Sequence, residues 1–151
     1  MNVDELDALF NKRSGMMGLT GYGDLREVHR LVEEGNEDAK LALDIYVHRI
    51  VGYIGNYTAQ MRRVDGITFT AGVGENDDVV RKMVCDKLAP FGVKLDEEKN
   101  ATRSKEPRII STPDSAVTIC VIPTNEELAI ARKSAAIAEE GKDSYGNVFS
   151  K

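Results

Sequence analysis

Two short runs rich in β-branched and apolar residues, Ile67 to Thr70 and Val117 to Ile122, each pass within a few residues into a helical pattern, and this restricts the fold more than any other feature. Strands that alternate with helices are joined by crossovers, which build layered α/β folds with strands at least partly parallel. Ile67 to Thr70 is entered at Gly66 and left at Gly72 and Gly74, as expected of a strand bounded by turn residues. Val117 to Ile122 is apolar at successive positions, the pattern of a strand covered on both faces.

The helical patterns complete the order. Asp4 to Phe10 reads as a short helix closed by Lys12 and Arg13 with Gly15 just beyond, after which Gly18, Gly21 and Gly23 break the chain. A second helix starts at Asp24 and stops at Gly35, with Leu25, Val28, Leu31 and Val32 on one side. From Asn36 to Met61, Leu43, Val47, Ile50, Ile54 and Tyr57 recur at helical spacing and Leu41 and Ile45 widen the stripe. Gly52 and Gly55 on that helix suggest close packing. Asn76 to Leu88 is a helix with Val80, Met83, Val84 and Leu88 inward, and Thr124 to Glu139 is another with Leu128, Ala131, Ala135 and Ala138 in line. Asp96 to Ser115, interrupted by Pro107 and Pro113, reads as a loop or an edge excursion. One domain over residues 1–141, followed by a loosely ordered tail over 142–151, is the expected organisation.

Composition excludes several classes. With 42% hydrophobic and 30% charged residues the chain has globular rather than disordered character. No apolar run approaches the ~20 residues of a membrane span, and the start lacks a secretory pattern, so a cytoplasmic protein is expected. A net charge of −5 with scattered basic residues argues against a nucleic-acid partner. Cys85 and Cys120 read as small apolar residues, and His29 and His48 as surface or structural histidines, because metal-site spacing is absent.

Three constellations carry chemistry. The first is Thr70-Ala71-Gly72-Val73-Gly74-Glu75-Asn76. Glycines at a strand-to-helix turn allow close approach of a ligand, and a following helix adds oriented N–H groups. No Lys-Ser or Lys-Thr follows and a third glycine is missing, so this is neither a Walker loop nor a dinucleotide fingerprint. Glu75 and Asn76 suit ribose hydroxyls or a base edge. Equally, the segment is a plain turn with Asn76 as N-cap. The second is Pro123-Thr124-Asn125-Glu126-Glu127: Thr124 and Glu127 have capping-box spacing, which leaves Glu126 at a strand's carboxyl end either to help hold Mg²⁺ or to face solvent as a dipole acid. The third is Gly21-Tyr22-Gly23-Asp24-Leu25-Arg26-Glu27. Asp24 and Glu27 again have capping-box spacing, while Arg26, a cation in a helix's first turn, is better tolerated where it meets an anion or stacks on a base.

Gly72 to Asn76, Val121 to Ala131, Ala39 to Asp44, Asp4 to Asp7 and Ile110 to Ser115, in one order from about Asp4 to Glu139, resemble the C-terminal half of the acetate kinase family. That resemblance implies the C-terminal half of an actin-like ATPase fold, with a ribonuclease-H-like core, a mixed sheet and flanking helices. It implies transfer of the γ-phosphoryl group of ATP to acetate, giving acetyl phosphate and ADP, reversibly and with Mg²⁺. It places Asp24, Leu25 and Arg26, and Gly72, Val73, Gly74, Glu75 and Asn76, at the nucleotide and Glu126 at magnesium, and it implies a homodimer. The Gly21 to Arg26 stretch is one residue shorter than the usual family pattern.

The family's acetate pocket, catalytic acid and phosphoryl-stabilising residues precede the matched region, so no catalytic residue is assigned and the chain is expected to be inactive alone. Propionate kinase shares nearly all of these motifs. A non-catalytic dimerisation module, drawing on the long helix, and an α/β scaffold without a nucleotide are the other readings.

Overall fold

The structure, a computed structural model, describes residues 1–140; the expected tail over 142–151 lies outside them. The chain opens with α1 (Val3–Lys12), α2 (Gly15–Thr20), α3 (Leu25–Glu33) and the long α4 (Glu37–Met61). It continues through β1 (Gly66–Phe69), α5 (Ala71–Asn76), α6 (Asp78–Leu88), a short 3₁₀ turn at Ala89–Phe91, α7 (Glu97–Ala101), β2 (Arg108–Ile109), β3 (Thr118–Val121) and α8 (Glu126–Glu140).

The sheet is mixed, in the order β1-β3-β2. β1 runs parallel to β3, Ile67 facing Ile119 and Phe69 facing Val121, while β2 pairs antiparallel with β3 at its edge. The segment from Asp96 to Ser115 is therefore an edge excursion that carries a helix and a short strand. The glycine-rich stretch after α1, expected to break the chain, forms α2 instead. Gly15, at φ 60, starts it and Gly21, at φ 79, ends it, so these glycines bound a helix.

Side-chain caps fix most helix starts. Asn36 accepts from Ala39 N at 2.9 Å and Asp96 from Lys99 N at 3.1 Å, while Asn2 and Glu5 form a reciprocal capping box.

One core lies between the sheet and the α3–α4–α6 layer. Val28, Leu43, Val47, Val80, Val84, Leu88, Ile119 and Val121 are all buried in it. On α4 the buried seam is Ala39, Ala42, Leu43 and Val47, with Ile50 and Ile54 partly covered. Leu41 and Ile45, expected to widen that stripe, and Tyr57, expected within it, are exposed. Among the described residues, Gly52 and Gly55 have no neighbouring atom within 4 Å of an added Cβ, so close packing between those residues does not explain them. β3 also departs from expectation: Ile119 and Val121 are buried, but Thr118 is exposed and Cys120 half-buried. Its second face is thus only partly covered, and α8, which follows, is exposed along Glu126 to Ala135.

Candidate functional site

After β1 the chain makes its sharpest local departure. Ala71 sits at φ 59, left-handed backbone that an L-residue with a Cβ adopts at a cost of about 1–2 kcal/mol; such strain concentrates at ligand sites and switches. From there Ala71–Asn76 forms its own short helix, α5, ending at Asp77. Asn76 is therefore no N-cap. Its side chain turns back to donate to Gly72 O at 2.8 Å, and Asp77 caps α6 by accepting from Val80 N at 2.9 Å.

The two glycines of α5 have different surroundings. An added Cβ at Gly72 meets nothing within 4 Å, whereas at Gly74 it would come to 3.1 Å from the carbonyl carbon of Phe69. Gly72 leaves open space and Gly74 lets α5 lie against the end of β1.

At the start of α3, Asp24 accepts from Arg26 N at 2.9 Å and from the Arg26 guanidinium at 2.5 Å. These hydrogen bonds hold the Asp24 carboxyl down at about 2 and raise the guanidinium. The reciprocal box expected with Glu27 does not form, because Glu27 pairs with Arg30 at 3.1 Å. Arg26 is 89% exposed, folded over its own helix cap.

These segments, separated in sequence by all of α4 and β1, form opposite walls of one cleft of about 940 Å³. Asp24, Leu25 and Arg26 line one wall; Gly72, Val73 and Asn76 line the other. Met16 and Tyr46 add apolar surface, and Asp77, Asp78 and Val79 extend the second wall. His29 Nε2 lies 2.8 Å from Asp77 Oδ2 and joins the walls, so this histidine, expected to be structural, has its partner inside the cleft. Burial, and then the Asp77 charge, raises the Tyr46 phenol. Arg103 also lines the cleft; it lies in a polar loop with no sequence motif and was missed. Of the expected nucleotide residues, Gly74 and Glu75 are not on the lining.

Glu75 serves a different connection. Its Oε1 accepts from Thr124 N at 2.8 Å and from Thr124 Oγ1 at 3.1 Å, tying α5 to the segment after β3; the backbone bond from Thr124, its largest influence, lowers the carboxyl. Thr124 is thereby taken from the capping box expected with Glu127. Asn125 caps α8 instead, accepting from Leu128 N at 3.0 Å. Glu126 stands exposed at the first position of α8, at the carboxyl edge of the sheet and off the cleft lining. Among the described residues no three acids, histidines or cysteines converge. One open carboxylate fits Mg²⁺ held largely by water and phosphate rather than by an all-protein cage. Cys85 is buried, its thiol pushed up to about 11 by burial, and Cys120 is half-buried.

The sequence model of the Acetokinase family matches residues 1–132. The chain is 53% identical over 134 residues to the acetate kinase of Leifsonia xyli subsp. xyli, an alignment covering 89% of this chain and 34% of that one. Among solved structures it resembles acetate kinase from Porphyromonas gingivalis, with a TM-score of 0.82 and 38% identity over 92% of this chain and 35% of the other. It also resembles a propionate kinase from Francisella tularensis, with a TM-score of 0.78 and 39% identity over 87% and 33%. The chain thus spans about a third of the length of the relatives it matches. Its mixed α/β architecture agrees with the expected C-terminal half of an actin-like ATPase fold.

Proposed function

The chain belongs to the acetokinase family, and from that premise we propose that its cleft binds adenine nucleotide as one side of a phosphotransferase that moves the γ-phosphoryl of ATP to acetate and back from acetyl phosphate to ADP. The observation that supports this most is the convergence of Asp24-Leu25-Arg26 and Gly72-Val73-Asn76 on one cleft. Val73, Leu25 and Met16 offer apolar surface for a base, the open side of Gly72 allows close approach, and the Asn76 amide offers a polar contact for ribose. Gly74 and Glu75 act by holding the turn, against Phe69 and Thr124.

Mg²⁺, when bound with nucleotide, would offset charge on the phosphates, and Glu126 is the carboxylate proposed to help hold it. No residue of this chain is assigned to the acyl pocket or to stabilising the moving phosphoryl group. Transfer requires charge brought from both sides of that group, so the chain by itself is proposed to bind nucleotide without turning over. Calorimetric titration with ADP tests the binding, and a coupled assay with ATP, Mg²⁺ and acetate tests the rest. Absence of ADP binding, or turnover at an ordinary kinase rate of ~1–100 s⁻¹, would overturn the reading.

The propionate kinase match stands beside the acetate kinase matches at similar identity, which supports propionate as an alternative acyl substrate. Pairing into a homodimer draws support from the outward row Leu41, Ile45, Tyr53, Tyr57 and Met61 on α4, each at least 43% exposed. No helix among the described residues is long and apolar enough to cross a membrane, and the proposed setting is the cytoplasm, without a nucleic-acid partner.

A further inference from the structure

We propose that Arg81 is a positioning residue for the nucleotide cleft, a buried guanidinium that grips the last turn of α5 by two backbone carbonyls and fastens it to α7. The inference rests on the nucleotide reading of the cleft and adds to it a residue that lines no part of it.

Arg81 is 2% exposed, the largest fully buried side chain described, and no carboxylate among the described residues is bonded to it. Its Nη1 donates to Gly74 O at 2.9 Å and Glu75 O at 3.0 Å, its Nε to Asn100 Oδ1 at 2.7 Å and its Nη2 to Asn100 O at 2.7 Å. Asn100, itself buried, donates from Nδ2 to Asp78 O at 2.9 Å. Burial, followed by the Arg108 charge, lowers the guanidinium pKa, and Asp77 and Asp78 oppose that from the start of α6. A buried cation without an ion pair is an expensive way to fill volume; an apolar side chain would do so without desolvating charge. What an apolar side chain lacks is a fork of donors at fixed angles.

The groups gripped explain why the fork matters. α5 is far shorter than the ~12–15 residues a helix needs to hold itself, and its final carbonyls have no intrahelical donors. Its conformation is therefore imposed from outside: by the left-handed Ala71 at one end, by Phe69 under Gly74, and by Arg81 at the other end. The far side of the same turn presents Gly72, Val73 and Asn76 to the cleft. Through Asn100 the clasp also fixes the start of α6, where Asp77, Asp78 and Val79 line the cleft, and the end of α7, from which the chain brings Arg103 to the same space. Three stretches of the wall are thus held to one another by two buried side chains, Arg81 and Asn100.

The test uses the full chain, with Arg81→Lys, which keeps the charge but not the fork, and Arg81→Met, which keeps volume without charge. ADP affinity is measured by calorimetry well below each melting temperature, with thermal unfolding recorded on the same samples. The expected result is an ADP Kd raised at least tenfold in Arg81→Met and between threefold and tenfold in Arg81→Lys, in proteins that remain folded. A purely structural role would lower the melting temperature and leave the affinity of the folded molecules unchanged. Either folded variant binding ADP within twofold of the parent overturns the proposal, as does failure of both to fold, which would make Arg81 a scaffold residue. Failure of the unsubstituted chain to bind ADP would instead remove the nucleotide reading itself, and the positioning role with it.

Discussion

The two faces of the sheet are built differently from similar residues. On one, Ile119 and Val121 of β3 meet Ile67 and Phe69 of β1 beneath Val28, Val47, Val84 and Leu88 from three helices. On the other, Thr118 is exposed, Cys120 half-buried, Ile109 57% exposed and Ile122 42%. α8, which follows β3, also leaves Leu128, Ile130 and Ile137 exposed. An apolar pattern says that an element can be buried, and only a partner decides whether it is. The closed face should therefore hold the fold's stability while the open side tolerates change.

The strongest test compares isoleucines across that divide. Ile119→Ala removes a fully buried side chain and should cost ~2–5 kcal/mol, with lost transfer energy and a cavity together. Ile137→Ala on α8 should stay within about 0.5 kcal/mol. Urea unfolding of both variants checks this, and equal losses would mean that α8 is packed in solution.

The same divide explains what could be read from sequence. Helical period placed Val28 on α3, Leu43 and Val47 on α4, and Val80, Val84 and Leu88 on α6, because those elements are each buried along one stripe. It failed on β3, whose successive apolar residues serve one closed face and one open one. It failed at Gly15 to Thr20 because glycine usually breaks a helix and here bounds one. In the cleft, Asp24, Arg26, Gly72 and Asn76 were legible from local chemistry and family resemblance. His29 and, behind the cleft, Arg81 were not, since Asp77 and Asn100 meet them through the fold and not through a spacing rule, and Arg103 lies in a polar loop without a motif. Spacing also misassigned the cap of α8: Thr124 and Glu127 are three apart, but Thr124 is held by Glu75, which is distant in sequence and follows the neighbouring strand β1.

A second comparison lies within α5. Gly74→Ala forces a Cβ to 3.1 Å from the Phe69 backbone, so it should destabilise the chain by ~1–3 kcal/mol as an overpacking change. Gly72→Ala enters open space and should leave stability nearly unchanged while weakening ADP binding. The reverse pattern in unfolding and calorimetric data would mean that the cleft lies on the other side of this helix.

The cap of α8 sharpens the contrast further. Asn125→Ala should cost ~0.5–2 kcal/mol of local helix stability, whereas Glu127→Ala, without a capping partner, should cost little. Because α8 is largely unpacked, the loss should appear as lower helicity by circular dichroism and faster amide exchange near Leu128, with little change in melting temperature. Greater fraying in Glu127→Ala than in Asn125→Ala would restore the box with Thr124.

The smallest effect concerns two carboxylates lowered by different means. Asp24 is held at about 2, first by its hydrogen bond with the Arg26 guanidinium, while Glu75 is lowered first by the backbone N–H of the neutral Thr124. Both folded values lie below those of the unfolded chain, so each contribution is complete above the ordinary carboxylate range, ~4. It is lost as pH falls through the folded value, which for Asp24 is about 2. Both groups are solvated, but Asp24 is lowered chiefly by a charged partner, whereas the Arg108 charge is the least of the influences on Glu75. At 1 M salt the screening length shrinks to ~3 Å, so the Asp24 titration midpoint, followed by carboxyl carbon shifts, should rise toward the ordinary value while that of Glu75 moves less. Arg26→Gln should raise Asp24 without salt and leave Glu75 unchanged. If salt instead moves Glu75 and spares Asp24, the tie between α5 and the segment after β3 is electrostatic, with Arg108 rather than Thr124 as its main partner.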